Sequence, residues 1–436
     1  MRNDTFTNYN GDNKAYLVQN NNIGPRLGTV WDVRGDSTLK VFGNLGRYFL
    51  AVPNNVAIRG ANASLSMDKY YTYDSINADG TPNGLHPITL TDVGYTCGTG
   101  TPGAGGVSSN LECGTAPDPR TVAADGLKPH YQDEFIIGLE QAFNKNLSWG
   151  AKFTYRKLKS AIDDICPTGC FIFNPGVDNS FWEDDGTGTL VLHPYTNADL
   201  GGFPALKRDY TAIDLFAEYR GSKWYGKLNY TWSRNNGNAE GQLNSSSDTG
   251  NGGQSDVSVT QDWDLVELMQ RADGKLPNNR THQIKTFGYY QATNEWRVGG
   301  SAIVQSGRPR NCTSYYPYAK AGIYNGAYYY WCGVPGAQTA VNNPAVVPNA
   351  DYIETSRGSE GETPWTYGIN LSVAYAPNWA KGLTLQADVF NVLNNQTPTA
   401  YYERSASSRT TVNQRYQAVL YNTDPRSLRF TARYDF

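Results

Sequence analysis

The sequence contains no long hydrophobic run. No stretch approaches the roughly 18 to 20 consecutive apolar residues that a spanning helix needs, so a helical membrane protein is excluded. Histidine is scarce, at 4 of 436 residues, and methionine numbers 3. Lys and Arg are scattered and the net charge is -3, which leaves no basic footprint for nucleic acid. Met1-Arg2-Asn3-Asp4 opens no apolar segment of the kind that directs export. The remaining features point to an exported protein, so residue 1 is read as other than the natural start. What is abundant is aromatic residues and glycine, with 31 Tyr, 10 Trp and 45 Gly. A chain this polar offers no obvious globular core. A barrel remains open, because its strands turn half their residues to a polar lumen.

With a period of two, eleven segments alternate apolar and polar residues over about 9 to 11 positions, enough to cross a bilayer when tilted. The last is the clearest: Leu428, Phe430, Ala432, Tyr434 and Phe436 share one face, and Arg429, Thr431, Arg433 and Asp435 the other. Ile369, Leu371, Val373 and Tyr375 stand opposite Asn370, Ser372 and Ala374 in the same way. Further segments repeat the pattern around Leu383–Val389, Trp149–Tyr155 and Leu228–Trp232. A soluble β-sandwich would alternate too, but no helices or second sheet are left over to cover the apolar faces. The expected fold is therefore all-β, a transmembrane antiparallel β-barrel with about 11 strands in this chain.

Short polar turns alternate with long loops. The turns are Arg34-Gly35-Asp36-Ser37, Asn144-Lys145-Asn146, Gly221-Ser222-Lys223, Thr293-Asn294-Glu295 and Pro377-Asn378. The loops cover roughly residues 51–131, 160–206, 236–280, 308–363 and 394–424, lengths that count against a compact soluble domain. Outer-membrane barrels place short turns in the periplasm and long loops outside. Trp149, Trp224, Trp296 and Trp379 lie at the short turns, where a periplasmic aromatic girdle belongs. One helix is expected within a loop, from Asp264 to about Ala272, with Asp264 as N-cap and Gly274 as C-cap.

The six cysteines fall in the long loops as sequence neighbours: Cys97 and Cys113, Cys166 and Cys170, Cys312 and Cys332. Disulfides within each loop suit an oxidising compartment, although connectivity is not written in the sequence. Zinc is the weaker reading, since no His lies near Cys166 and Cys170. No cofactor is expected.

Specific motifs then carry a resemblance. Asp388-Val389-Phe390-Asn391-Val392-Leu393-Asn394 is similar to the penultimate-strand run of TonB-dependent transporters. Leu276–Lys285, Gln305–Pro309, Gly237–Gly241 and Pro25–Gly28 resemble the Oar-like branch, so the likeness covers almost the whole chain. Arg426–Phe436, ending in an aromatic residue, looks like the terminal strand read by the barrel assembly machinery, with Tyr434 and Phe436 as its signal. The resemblance implies a barrel of about 22 strands filled by an N-terminal plug, with a segment that TonB grips. This chain shows neither plug nor TonB-contacting segment nor the Oar-like N-terminal domain. The expectation is that residues 1–436 are the C-terminal part of such a barrel, strands 12 to 22, with residues 1–24 the tail of an external loop. The implied function is uptake of a ligand with energy from TonB. Its partners would be outer-membrane lipid, the missing N-terminal half and TonB through that half. The alternative is a passive porin or adhesin.

For ligand capture the aromatic loop stands out: Tyr315, Tyr316, Tyr318, Tyr328, Tyr329, Tyr330 and Trp331, tied by Cys312 and Cys332. Flat faces and hydroxyls suit a sugar, peptide or aromatic ligand, although the same rings could pack the loop against its neighbours. Catalysis has little support, because His86, His130 and His193 have no Ser motif beside them and His282 sits at a strand start. Asp163-Asp164 and Glu183-Asp184-Asp185 read as ordinary acidic loop residues. The run Asp248–Asp256 lacks the spacing of a calcium loop.

Overall fold

The computed structural model describes residues 2–7, 13–18, 22–52, 56, 67–68, 70–88, 95–100, 104, 107–108, 118–165, 171–241, 262–316, 328–334, 336 and 352–436. Eleven long strands run through it: β1 (Arg26–Asp32), β2 (Leu39–Phe49), β3 (Tyr131–Ala142), β4 (Leu147–Ser160), β5 (Arg208–Arg220), β6 (Trp224–Gly237), β7 (His282–Gln291), β8 (Trp296–Gln305), β9 (Thr366–Tyr375), β10 (Leu383–Phe390) and β11 (Ser427–Tyr434). Each pairs antiparallel with its sequence neighbours, and their order in the sheet is their order in the chain. Gly274–Lys275 adds a short rung beside the end of β6. The sheet is open: among the described residues β1 pairs only with β2, and β11 only with β10. No helix of the described residues is long and apolar enough to cross a membrane.

Register converts the alternation into two faces. Leu371 lies opposite Gly300 and Val389, and Val373 opposite Val298 and Ala387, so these rows share one face. Ser372, opposite Gly299 and Asp388, belongs to the other. Short turns hold that register through side-chain acceptors. Asp32 accepts from the amides of Gly35 (3.0 Å) and Ser37 (2.8 Å). Asn144 accepts from Asn146 (2.8 Å) and Leu147 (2.9 Å), and Thr293 from Glu295 (3.2 Å) and Trp296 (3.1 Å). Small polar residues take these positions because they satisfy backbone donors within a tight bend.

The long loops are folded rather than bare connections. Hairpins form from Asp163–Ile165 with Phe171–Phe173, and from Asn179–Asp184 with Leu190–Tyr195. Pro398–Tyr401 pairs with Val419–Asn422, and Arg2–Thr7 pairs with Asn13–Val18. One apolar core joins Val56, Leu127, Leu158, Ile162, Ile172, Phe173, Phe203, Trp263, Met269 and Tyr330. Apart from Leu158 at the outer end of β4, these residues come from loops, so the main buried core lies above the membrane sheet.

The expected helix from Asp264 to Ala272 is a single 3-10 turn, Val266–Met269, preceded by Leu265 instead of Asp264. Gln270 is already extended and Arg271 has φ of 59°, which ends the helix there. Gly274 caps nothing: a Cβ on it would lie 2.0 Å from the carbonyl oxygen of Arg357, so glycine permits the close passage of another loop.

Candidate functional site

Three surfaces could do work: the apolar face, the polar face and the loop crown. The apolar face carries an aromatic row at the short turns. Trp224 stacks on Tyr290 with centroids 4.3 Å apart, and Trp296 on Tyr375 at 4.4 Å. Trp31 and Trp149 point out at the same end. Toward the loops, Trp365 stacks over His282 at 5.9 Å, and Tyr230 hydrogen-bonds the same imidazole at 2.8 Å. Aromatics at both borders of a bare apolar band are what a bilayer demands. Tyr434 stays on this face and meets Phe436 edge-on at 5.1 Å.

The polar face pairs its charges across strands. Lys40 meets Glu140 at 2.6 Å, Lys152 meets Asp214 at 3.2 Å, and Arg429 meets Asp388 at 2.9 Å; Arg156 contacts Glu134. Most of these side chains remain solvent-accessible, which fits a wall facing water.

In the crown, loops that are distant in sequence are locked together. Arg308 reaches Glu403 at 3.1 Å, and Asn311 donates to the second carboxylate oxygen at 2.8 Å. Burial pushes the Glu403 carboxyl above its ordinary value. Arg357, wholly buried, donates to the Ala272 carbonyl at 2.7 Å, pairs with Asp262 at 2.8 Å, and lies over the Tyr330 ring at 5.1 Å. Gly307 is required where the two legs of its loop cross, since a Cβ there would fall 1.6 Å from the Thr363 carbonyl oxygen. Lone Arg, Asp and Glu residues spread through the loops gave no signal for the pairs Arg308–Glu403 and Arg357–Asp262, because each forms across 95 residues of sequence.

The aromatic loop is tied as its cysteines imply: Cys312 is bonded to Cys332. Cys97 is also oxidised, whereas Cys113, Cys166, Cys170 and Tyr318 lie outside the described residues, as does the Asp248–Asp256 run. Tyr315, Tyr316 and Tyr330 are not open platforms but buried packing. The Tyr315 hydroxyl donates to the Ser407 carbonyl at 3.0 Å, with Arg404 over its ring. Trp331 stacks on Tyr352 at 4.8 Å. Tyr328 and Tyr329 form a two-residue strand against Ser314–Tyr315.

The histidines and carboxylates are dispersed. His86 meets Asp74 at 3.1 Å on an exposed hairpin, and His193 sits opposite Phe181 in another. His130 is buried with neither ring nitrogen hydrogen-bonded among the described residues. Burial, reinforced by Arg208, lowers its pKa to about 4. Glu183 accepts from the Tyr195 hydroxyl at 2.7 Å, and Asp184 and Asp185 bind turn amides of their hairpin. Asp163 and Asp164 are buried in a hairpin strand. Among the described residues no group of three or more His, Cys, Asp or Glu is placed to hold a metal.

An antiparallel sheet with one lipid-facing side, aromatic borders, short turns at one end and folded loops at the other defines an outer-membrane protein of the β-barrel class. The chain is 27% identical over 410 residues, 91% of its length, to TonB-dependent transporter Oar of Myxococcus xanthus. It spans about a third, 34%, of that curated relative. No family model matches. Among solved structures, the outer membrane transporter YddB from Escherichia coli has a TM-score of 0.49 at 13% identity, covering 97% of this chain and 42% of that one. The FrpB iron transporter from Neisseria meningitidis has a TM-score of 0.45 at 10% identity, covering 99% and 40%.

Proposed function

We propose that this chain is the second half of the barrel wall of an active outer-membrane transporter, energised by TonB through a first half that also supplies a plug. One observation carries the reading: likeness to the Oar transporter runs along 91% of this chain but covers 34% of the relative, and among the described residues the sheet has two unsealed edges. Eleven antiparallel strands leave β1 and β11 running in the same direction, so joining them needs a parallel seam. Left open, their backbone groups would face hydrocarbon at several kcal/mol for each unsatisfied group. A first half whose edge strands run outward removes both difficulties and brings the wall to about 22 strands, the size class with a plugged lumen. Tyr434 and Phe436 are its signal to the barrel assembly machinery. The crown is the receptor surface, and the loop of Tyr328, Tyr329 and Trp331 contributes to it on a frame made rigid by buried Tyr315, Tyr316 and Tyr330.

The receptor of natural length should bind the purified periplasmic domain of TonB, and this chain alone, given a signal peptide, should aggregate or be degraded. Co-expression of the first half should restore a heat-modifiable barrel. A stable, conducting pore formed by this chain alone in planar bilayers would overturn the reading in favour of a passive porin.

A further inference from the structure

The lipid-facing side of the sheet is ridged by large side chains, and on β6, β7 and β8 it sinks into a groove. The register sets Gly226 opposite Gly288, Gly288 opposite Gly300, and Gly300 opposite Leu371, so three glycines lie side by side on the apolar face. With neighbouring strands about 4.8 Å apart, this row opens a floor about 10 Å long. Toward the short turns the floor is walled by the Trp224–Tyr290 stack and by Val298. Toward the middle of the band it continues over Thr286 and Ala302, giving a groove of about 680 Å³. Ligand sites run from about 300 to 1,000 Å³. Thr286 directs its hydroxyl to the Lys227 carbonyl at 3.0 Å, so the floor stays apolar there. Two of the glycines are demanded by the backbone: a Cβ on Gly288 would lie 2.4 Å from the Tyr225 carbonyl oxygen, and one on Gly300 3.0 Å from that of Asn370. Gly226 differs, because a Cβ there would meet no atom within 4 Å. Among the described residues nothing fills the space in front of it.

We infer that this groove is the seat of one acyl chain of a glycerophospholipid, held with its phosphate beside Lys223. The occupant follows from continuity: the groove belongs to the band that hydrocarbon covers, just inside the aromatic border at the short turns. Left empty, its lining would forfeit dispersion contacts, and a flexible alkyl chain restores them. Depth selects the leaflet, since the short turns of an outer-membrane barrel are periplasmic and the groove lies in the half of the band nearest them. Charge places the head. Lys223 directly precedes Trp224, is exposed, and has no ion-pair partner among the described residues. Glu218, in the preceding strand, is taken by Arg220 at 2.9 Å and Lys227 at 3.7 Å. A lone cation at the headgroup level attracts a lipid phosphate. The inference depends on the membrane-facing side of the sheet and not on transport.

The test reconstitutes the receptor of natural length in phosphatidylethanolamine vesicles containing a phosphatidylglycerol with a diazirine on one acyl chain, illuminates them, and maps the adducts by mass. Gly226→Leu fills the groove without touching another protein atom, so the barrel should stay heat-modifiable. Adducts on Thr286 and Ala302 should then fall several-fold, while those on Ile137 and Phe153, on the lipid-facing side of β3 and β4, stay as they were. Adducts that respond alike in both places, or do not respond, would mean bulk lipid only and would overturn the seat. A second measurement needs no change in the groove: native mass spectra of the receptor in mild detergent should show one retained phospholipid, lost several-fold more readily in Lys223→Glu, whose side chain lies in an exposed turn. No retained phospholipid, or retention that ignores Lys223→Glu, would also overturn it. A mass of two receptors without lipid would assign the groove to a contact between copies instead.

Discussion

In the eleven-stranded sheet Leu371, Val373 and Phe430 stand bare on one face, whereas in the loops Ile162, Phe173 and Trp263 are almost wholly buried. Both sets are large and apolar, and the difference is the solvent each expects. A sheet beside lipid needs no second layer, because hydrocarbon covers its apolar side and its backbone groups are satisfied by neighbouring strands. The loops meet water on all sides, so they must build a core and bury their polar groups in pairs, as Arg308 does with Glu403. The same chain is thus stabilised by lipid in one region and by packing in the other.

The sharpest way to break this comparison is within the crown. Glu403→Ala leaves Arg308 and Asn311 facing an empty site, and removing one partner of a buried pair costs about 3 to 5 kcal/mol. Hydrogen exchange should then show the segments around Arg308 and Glu403 opening while β7 to β10 keep their protection; loss of protection throughout would mean that sheet and crown are a single cooperative unit. Slightly smaller is the effect in the sheet. Leu371→Arg puts a charge into the lipid band at about 2 to 4 kcal/mol, whereas Ser372→Arg, on the polar face, should cost far less. Equal losses in urea unfolding would show that the two faces have been assigned wrongly.

An acid titration separates the regions more gently. His130 has a folded pKa of about 4 against an ordinary 6.5, so between those values the unfolded chain holds more protons. Stability from this group is present above pH 6.5 and is lost as pH falls toward 4, by about 3 kcal/mol at most. His130→Phe should flatten that part of the pH profile. An unchanged profile would show that other groups govern acid opening at this corner.

The sheet was legible because its code is local. Two-residue alternation, polar turns and Trp positions can be counted along the chain, and the eleven long strands lie between the turns and loops so counted, although β7 sets Phe287 and Tyr289 on its polar face and the short Gly274–Lys275 rung gave no such sign. The crown was not legible, because its determinants are long-range. Nothing near Arg357 announces that Asp262 and Tyr330 will enclose it, and Asp264 with Gly274 imitate caps for a helix that the passage of Arg357 replaces. Tyr315, Tyr316 and Tyr330 read equally well as a binding surface and as packing until a neighbouring loop covers them.

The smallest expected effect tests whether the polar face is wet. Lys40 and Glu140 approach to 2.6 Å, with side chains 45% and 36% exposed. In a water-lined wall such a pair gains little Coulomb energy and loses side-chain freedom, so a double-mutant cycle of Lys40→Ala and Glu140→Ala should give a coupling below about 1 kcal/mol. Added salt should reduce it further, because exposed charges are screened. Glu403 with Arg308 is the contrast, since there the carboxylate is 2% exposed and salt should have little effect. A coupling at Lys40–Glu140 as large as that at Arg308–Glu403, and as insensitive to salt, would mean that this part of the wall is sealed from water. The charge ladder would then be an internal core of the assembled barrel, and the division of this chain into a lipid-supported sheet and a packed crown would fail at the polar face.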